Sequence, residues 1–126
     1  MNKINENKNV FGENLDICPC KTLTGDKRNN YCQANEKNKE MHTICAVMTM
    51  EFLQFTRLRG NDLMTSRNEF GFSGLKPGDY WCLSVTRWLE AYQAGYAPKV
   101  KLSSTHIETL EHITLVTLKQ YAIDLL

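Results

Sequence analysis

The sequence has little net charge and lacks long apolar runs. Lys and Arg together number 15 and Asp and Glu number 14, which gives a net charge of +1. A domain that binds nucleic acid, or a polybasic one that binds a membrane surface, usually has a strong excess of basic residues. No apolar run approaches the roughly 20 residues that a membrane-spanning helix needs. We therefore expect neither nucleic acid nor a membrane among the partners.

Sequence motifs of several large enzyme classes are also missing. The chain contains no glycine-rich nucleotide-binding loop, no paired-histidine zinc motif and no serine nucleophile elbow. It has no internal repeats, and its 126 residues correspond to one ordinary domain. These absences leave open whether the protein is an enzyme at all.

The N-terminal third is polar and irregular. Nine of the eleven asparagines lie at or before position 38, and the first ten residues contain no apolar segment of the kind found in secretory signals. We expect a cytoplasmic protein with a disordered tail over 1–9 and a single domain over 10–126. Residues 15–40 show neither helical nor strand periodicity, and so long an irregular stretch has to be pinned. The residues available for this are Leu15, Ile17, Leu23, Tyr31 and three of the five cysteines.

The remainder of the chain predicts an α+β fold with a small sheet. β-branched or alternating segments indicate strands over 43–48, 80–86 and 99–103. Pro77 and Gly78, just before the second strand, are typical of the centre of a type II turn, because proline presets the first φ and glycine accepts the positive second one.

About four short helices are predicted around this sheet. Thr49 is a suitable N-cap for a helix over 50–59, and a second helix is predicted over 87–94. A capping box that begins at Thr105 predicts a third helix. Thr114 is the expected cap of the last one.

Five cysteines are the unusual component of the sequence. An odd number without an export signal argues against a full disulfide framework. A metal site would draw on Cys18, Cys32, His42 and Cys45, but their spacings are weak signals compared with paired C-x-x-C motifs. In an extended strand, His42 and Cys45 would also point to opposite faces. Zinc is therefore an alternative that the spacing does not favour, and the cofactor is otherwise unknown.

Cys82 and Cys45 are the candidates for thiol chemistry. If the strands 43–48 and 80–86 are neighbours, side-chain alternation places both cysteines on one face of the sheet, within disulfide range. We expect them to be reduced in the cytoplasm. A reactive thiol needs a nearby cation, and Arg87 follows the second strand. The alternative is simple packing, since free cysteine is among the most buried residue types.

The other face of the second strand is predicted to be the core face. It carries Trp81, Leu83 and Val85. Trp81→Ala is therefore expected to cost about 3–5 kcal/mol of stability, and Cys82→Ser much less.

Polar side chains crowd the end of the first predicted helix. Arg59, Asn61 and Asp62 lie there, and the aromatic residues Tyr80 and Trp88 follow. A pocket that joins aromatic walls to a few polar groups is typical of small-molecule sites. The local alternative is that Asn and Asp make turn hydrogen bonds and that Arg complements the helix dipole.

Several long motifs resemble those of a known family. They are MHTICAVMTMEFLQF (41–55), GNDL (60–63), FGFSGLKPGDYWCL (70–83), RWLEAYQAGYAP (87–98) and STH (104–106). Over almost the whole chain the sequence resembles the small uncharacterised bacterial proteins named domain of unknown function 2237. The resemblance implies one compact domain and no established activity. It also implies family cysteines at four positions, which are Cys18, Cys32, Cys45 and Cys82, whereas Cys20 departs from the family pattern.

The function predicted from the sequence is binding without catalysis. The ligand would be an unknown small polar molecule or a protein partner, held in a pocket near residues 57–88. Two alternatives belong to other classes. One is a thiol-dependent enzyme or redox protein that uses Cys82 and Cys45, and the other is an interaction module stapled by a metal.

Overall fold

The centre of the fold is an antiparallel sheet of three strands. They are β1 (Ile44–Val47), β2 (Tyr80–Leu83) and β3 (Lys99–Val100), and β1 lies between the other two. The computed structural model describes residues 7–25, 29–34 and 40–125, and the structural statements below concern these ranges. Helices pack against the sheet, so the predicted α+β class is confirmed.

Three α-helices are present in the described ranges: α1 (Met50–Leu58), α2 (Val85–Ala94) and α3 (Leu115–Lys119). Thr49 and Thr114 cap α1 and α3 as predicted, because each side chain accepts a hydrogen bond from a backbone N–H of the first turn. Such a cap satisfies one of the donors that a helix N-terminus leaves unpaired. The predicted number of about four helices is one too high.

The segment predicted as the remaining helix is a short 3-10 helix, Ile107–Glu111. Its cap is His106, whose Nδ1 accepts a hydrogen bond from the backbone N–H of Glu108 at 3.1 Å. The hydroxyl of Thr105 is engaged elsewhere, since it accepts the backbone N–H of Cys45 at 3.2 Å. A tertiary contact with β1 therefore replaces the predicted capping box.

All three predicted strands are too long, β1 by one residue at each end and β2 and β3 by three residues at their C-terminal ends. β2 ends just before Ser84, because the Ser84 hydroxyl accepts the backbone N–H of Arg87 at 3.1 Å and so caps α2. The helix consequently begins at Val85 and not two residues later, and the predicted strand 80–86 is cut short. β3 contains only the first two residues of the predicted strand 99–103.

The turn that leads into β2 has the predicted form. The backbone N–H of Asp79 donates to the carbonyl of Lys76 at 3.0 Å, and Gly78 has a φ of +92°. This is the left-handed region that glycine adopts without strain, as the third residue of a type II turn requires. The turn also ties the chain to the end of β1, since Gly78 N–H donates to the carbonyl of Met48 at 2.8 Å.

The main core gathers side chains from the sheet and from all three helices. Its largest fully buried side chains are Trp88, Phe52, Ile44, Met48 and Leu53. Cys82 in β2 is also buried, at 1% exposure, although it belongs to a separate cluster. The strand is thus buried on both faces, and the expectation that Cys82 sits on a mixed, less critical face is wrong.

The first described residues already pack against the domain. Asn9 is 1% exposed, and its side-chain oxygen accepts the backbone N–H groups of Phe11 and Glu13 at 2.9 and 3.1 Å. Ordered contacts therefore begin within the segment 1–9 that the sequence assigns to a tail. Residues 1–6 of that segment lie outside the described residues.

Candidate functional site

Four of the five cysteines meet on one face of the sheet. Cys45 of β1 and Cys82 of β2 are directly opposite each other in the antiparallel register, so the predicted shared face is confirmed. They are not bonded to each other. Cys45 forms a disulfide with Cys18 and Cys82 with Cys32, with Cα–Cα distances of 5.8 and 5.3 Å.

Two sequence expectations are therefore corrected. Disulfides join four of the five cysteines, contrary to the prediction of a reduced set, and the direct link between Cys45 and Cys82 is not made. The reason is the path of the N-terminal arm, which we define as residues 15–25 and 29–34. It crosses this face of the sheet and presents one cysteine to each strand.

Backbone and hydroxyl contacts fix the path of the arm. Cys32 forms a parallel bridge with Thr105, and the backbone N–H of Cys82 donates to the hydroxyl of Thr24 at 3.3 Å. The hydroxyl of Ser104 donates to the carbonyl of Ile17 at 2.9 Å. Polar contacts and the disulfides thus pin the arm.

The apolar residues predicted to pin the arm contribute less. Leu15 is buried, whereas Ile17 is 49% exposed, Leu23 54% and Tyr31 37%. Gly25 allows the arm to lie close to itself above the cysteines, because a Cβ at this position would lie 2.5 Å from the carbonyl oxygen of Tyr31. Its φ of +88° also favours glycine.

The two disulfides are adjacent in space. The sulfurs of Cys18, Cys32 and Cys82 all lie within 4.8 Å of one another, although Cys18 belongs to one disulfide and the other two form the second. None of the four bonded cysteines is more than 1% exposed. We call these four residues the cysteine centre.

The four residues that the sequence analysis considers as metal ligands do not come together as one metal site. Thiolates are the sulfur ligands of zinc, and Cys18, Cys32 and Cys45 are held in disulfides. His42 lies apart from this centre, with its Nε2 3.6 Å from a carboxylate oxygen of Glu40. Among the described residues, the sulfurs spaced for a metal are those of Cys18, Cys32 and Cys82, so a metal would require the reduced form.

Cys20 is the one free cysteine of the described chain, and its surroundings keep it protonated. Burial, with a further contribution from the carboxylate of Asp79, raises the pKa of its thiol to about 12. Desolvation and a nearby negative charge both disfavour the thiolate. Cys20 is therefore a poor nucleophile at neutral pH, although it packs against the cysteine centre.

We predict that alkylation of Cys20 by iodoacetamide at pH 8 is more than about tenfold slower in the folded protein than in the urea-unfolded, non-reduced chain. Each unit by which the pKa rises lowers the thiolate fraction about tenfold at this pH. Mass spectrometry of timed samples gives both rates. In the folded protein, the rate should also keep rising above pH 9, where that of the unfolded chain levels off. Equal rates at pH 8 would contradict this assignment.

A cavity of about 500 Å³ opens beside the cysteine centre. It is bounded by the arm, the segment before β1, the loop after α1, the end of β2 and the start of α2. Its lining residues are Leu23, Thr24, Gly25, Glu40, His42, Asn61, Leu63, Trp81, Cys82, Leu83, Ser84 and Arg87. The volume lies in the range of small-molecule sites.

The charge of the cavity wall is nearly balanced. The Arg87 guanidinium donates to the backbone carbonyl of Arg59 at 3.0 Å and to the carboxylate of Glu90 at 3.3 Å. Glu90 therefore compensates the charge of Arg87, and Glu40 places a carboxylate on another side of the cavity. Such a wall offers hydrogen bonds without a strong field of either sign.

The family model of uncharacterized proteins conserved in bacteria, DUF2237, matches residues 8–122 of the chain. The chain belongs to this family. A comparison with curated proteins finds no match. Within the part of the chain that the structure describes, no helix is long and apolar enough to cross a membrane.

Two of the five binding residues predicted for this DUF2237 domain lie at or near the cavity. Asn61 lines it, with its side-chain amide donating to the hydroxyl of Thr56 at 3.1 Å. Arg59 contributes its carbonyl to Arg87, while its own guanidinium lies 5.0 Å from the centroid of the Phe55 ring.

The other three predicted binding residues have different surroundings. Asp62 accepts hydrogen bonds from the backbone N–H groups of Met64 and Thr65 and from the Thr65 hydroxyl. These bonds lower the pKa of the Asp62 carboxyl and identify it as a turn residue. Tyr80 packs against the cysteine centre, and Trp88 is fully buried in the main core.

Several lining residues escaped prediction as members of one site. Trp81 was assigned to the core face, Ser84 to a strand, and His42 to a weak metal set. They meet only because the arm closes over the end of β2. The sequence signal for this closure is the presence of three cysteines in a segment that has few apolar anchors and no periodicity.

Proposed function

We propose that this domain binds a small polar ligand in the cavity, without catalysing a reaction on it. The observation that carries the proposal is the convergence of polar side chains from three separate segments on one concave, partly apolar wall. His42, Asn61, Ser84 and Arg87 supply hydrogen-bonding groups, and the side chain of Trp81 lies among them. Such a combination is typical of small-molecule sites.

The balanced charge of the wall narrows the ligand class. Arg87 is paired with Glu90, so an anion would have to compete with an existing ion pair for the guanidinium. An uncharged or zwitterionic molecule with hydrogen-bonding groups fits such a wall without leaving a charge uncompensated. The localisation that we propose is the cytoplasm, where such metabolites are abundant.

A redox function is the second candidate, and one observation favours it. Cys82, which is bonded to Cys32, lines the same cavity. Disulfides in cytosolic proteins are usually catalytic or redox-sensing.

The two tryptophans of the chain provide a test of ligand binding. Trp81 lines the cavity and Trp88 is buried in the core, so their indole N–H signals in a ¹⁵N NMR spectrum report on different places. We predict that members of a fragment set of small amides, alcohols and amino acids shift the Trp81 signal and leave that of Trp88 in place.

A pair of variants locates the binding. Leu63→Trp should fill the cavity and weaken binding of the same fragments at least about tenfold, which corresponds to about 1.4 kcal/mol. Leu58→Trp is the matched control, because Leu58 is 83% exposed on α1 and does not line the cavity. Absence of any Trp81 shift across the set, or equal binding to both variants, would contradict the proposal.

A further inference from the structure

The spacing of the sulfurs in the cysteine centre distinguishes it from two isolated structural disulfides. Three sulfurs that belong to two different bonds lie within 4.8 Å of one another. Thiol–disulfide exchange needs a thiolate that can approach a disulfide sulfur and form a mixed disulfide. Only a small movement separates Cys18 from the sulfurs of Cys32 and Cys82. We propose that the four cysteines form a single thiol–disulfide exchange centre, in which the two disulfides can trade partners.

The exchange step balances within the protein. When a thiolate attacks the sulfur of Cys45, it forms a mixed disulfide there and displaces Cys18 as a thiolate, which then attacks a sulfur of the second disulfide. A bond forms from Cys18 to Cys32 or Cys82, the bond between Cys32 and Cys82 breaks, and its electron pair leaves on the displaced cysteine as a thiolate. The numbers of disulfides and of thiols stay constant, so the step needs no oxidant or reductant.

The reaction partner that starts the exchange is a low-molecular-weight thiol. Cys82 lines the cavity, which is therefore the route by which such a thiol reaches the centre. Attack on Cys82 joins the incoming sulfur to Cys82 and releases the Cys32 thiolate. That thiolate lies within 4.8 Å of the Cys18 sulfur and can attack it, which frees Cys45. Attack of the external thiol on Cys82 therefore leads to opening of the bond between Cys18 and Cys45.

The fifth cysteine is not part of this sequence of steps. Cys20 is the one cysteine of the described chain that forms no disulfide. A Cys20→Ser background therefore preserves the proposed chemistry. It also leaves one cysteine in the tryptic peptide 9–21, so that every cross-linked peptide has a unique assignment.

The test uses two single-cysteine deletions in this background. In Cys45→Ala, the Cys18 thiol stands beside the intact second disulfide. We expect peptides that link Cys18 to Cys32 or to Cys82 in about a tenth of the chains or more. A tenfold preference for the original bond between Cys32 and Cys82 corresponds to a free-energy difference of only about 1.4 kcal/mol. Acid quenching and alkylation precede digestion. The fraction should not change on tenfold dilution, because the step is intramolecular.

The matched control is Cys18→Ala in the same background. It leaves the thiol of Cys45, whose sulfur is outside the group of three, so the bond between Cys32 and Cys82 should rearrange several-fold less than in Cys45→Ala. An unrearranged disulfide in Cys45→Ala, or equal rearrangement in both variants, would overturn the proposal.

A further measurement keeps all four cysteines of the centre, so it remains decisive if one of the deletion variants fails to fold. The Cys20→Ser chain is incubated with less than one equivalent of glutathione, a monothiol. Rearranged peptides that link Cys18 to Cys32 support exchange, and their absence overturns it. This outcome is independent of fragment binding in the cavity, so failure of the proposed ligand function would be seen separately.

Discussion

Replacing Trp88 with alanine is expected to lower the free energy of unfolding by about 3–5 kcal/mol. Trp88 is fully buried on α2. Its ring stacks on Tyr92 and meets Tyr121 edge-on, with centroids 5.4 and 5.2 Å away. Its indole N–H donates to the carbonyl of Pro98 at 3.1 Å. The substitution removes the packing and the donor together and leaves a cavity that the surrounding rings cannot fill.

The matched variant is Trp81→Ala, to which the sequence alone assigned this large cost. Trp81 is only partly buried and lines the cavity, so its removal is expected to cost less than that of Trp88, because it takes less apolar area out of water. Guanidinium unfolding followed by circular dichroism measures both. If Trp81→Ala proved as costly as Trp88→Ala, our placement of the core would be contradicted.

Removing the disulfide between Cys32 and Cys82, by substituting both with alanine, should cost about 4 kcal/mol. The bond closes a loop with a sequence separation of 50, and a cross-link of this length strongly limits the unfolded chain. The bond between Cys18 and Cys45 closes a separation of 27, so its double alanine variant should cost slightly less, about 3.5 kcal/mol. Unfolding of the non-reduced proteins in guanidinium measures both losses.

The control for these variants is Cys20→Ser, which removes a thiol but no cross-link. Its cost should stay below about 1 kcal/mol, in the usual range for a site that is not fully buried. Strong reductant should bring the parent protein down toward the stability of the double variants. A loss below about 1 kcal/mol in Cys32→Ala/Cys82→Ala would show that the bond does not constrain the chain.

Local features of the structure could be predicted where the signal lies within a few residues. The caps at Thr49 and Thr114 and the turn at Pro77 and Gly78 depend on neighbouring backbone groups, and all were predicted. The shared face of Cys45 and Cys82 follows from the alternation of side chains in two strands. These predictions needed no knowledge of the chain path between the elements.

The arm could not be predicted in the same way. Its partners are 27 and 50 residues distant from its cysteines, and the arm itself has no periodicity that fixes its direction. Whether Cys45 bonds to Cys82 directly, or each bonds to a cysteine of the arm, depends only on the path of the arm across the sheet. The same path determines the cavity, which Asn61 lines, whereas Trp88 lies in the main core.

Non-reducing peptide mapping tests most directly whether the four cysteines of the cysteine centre pair as the structure shows. Protein purified without reductant is unfolded in guanidinium at acidic pH, alkylated with N-ethylmaleimide and digested with trypsin. We predict that peptide 9–21 is linked to 40–57 and that 29–37 is linked to 68–87, with Cys20 alkylated. A link between 40–57 and 68–87 as the main product, or alkylation of all five cysteines, would contradict the claim.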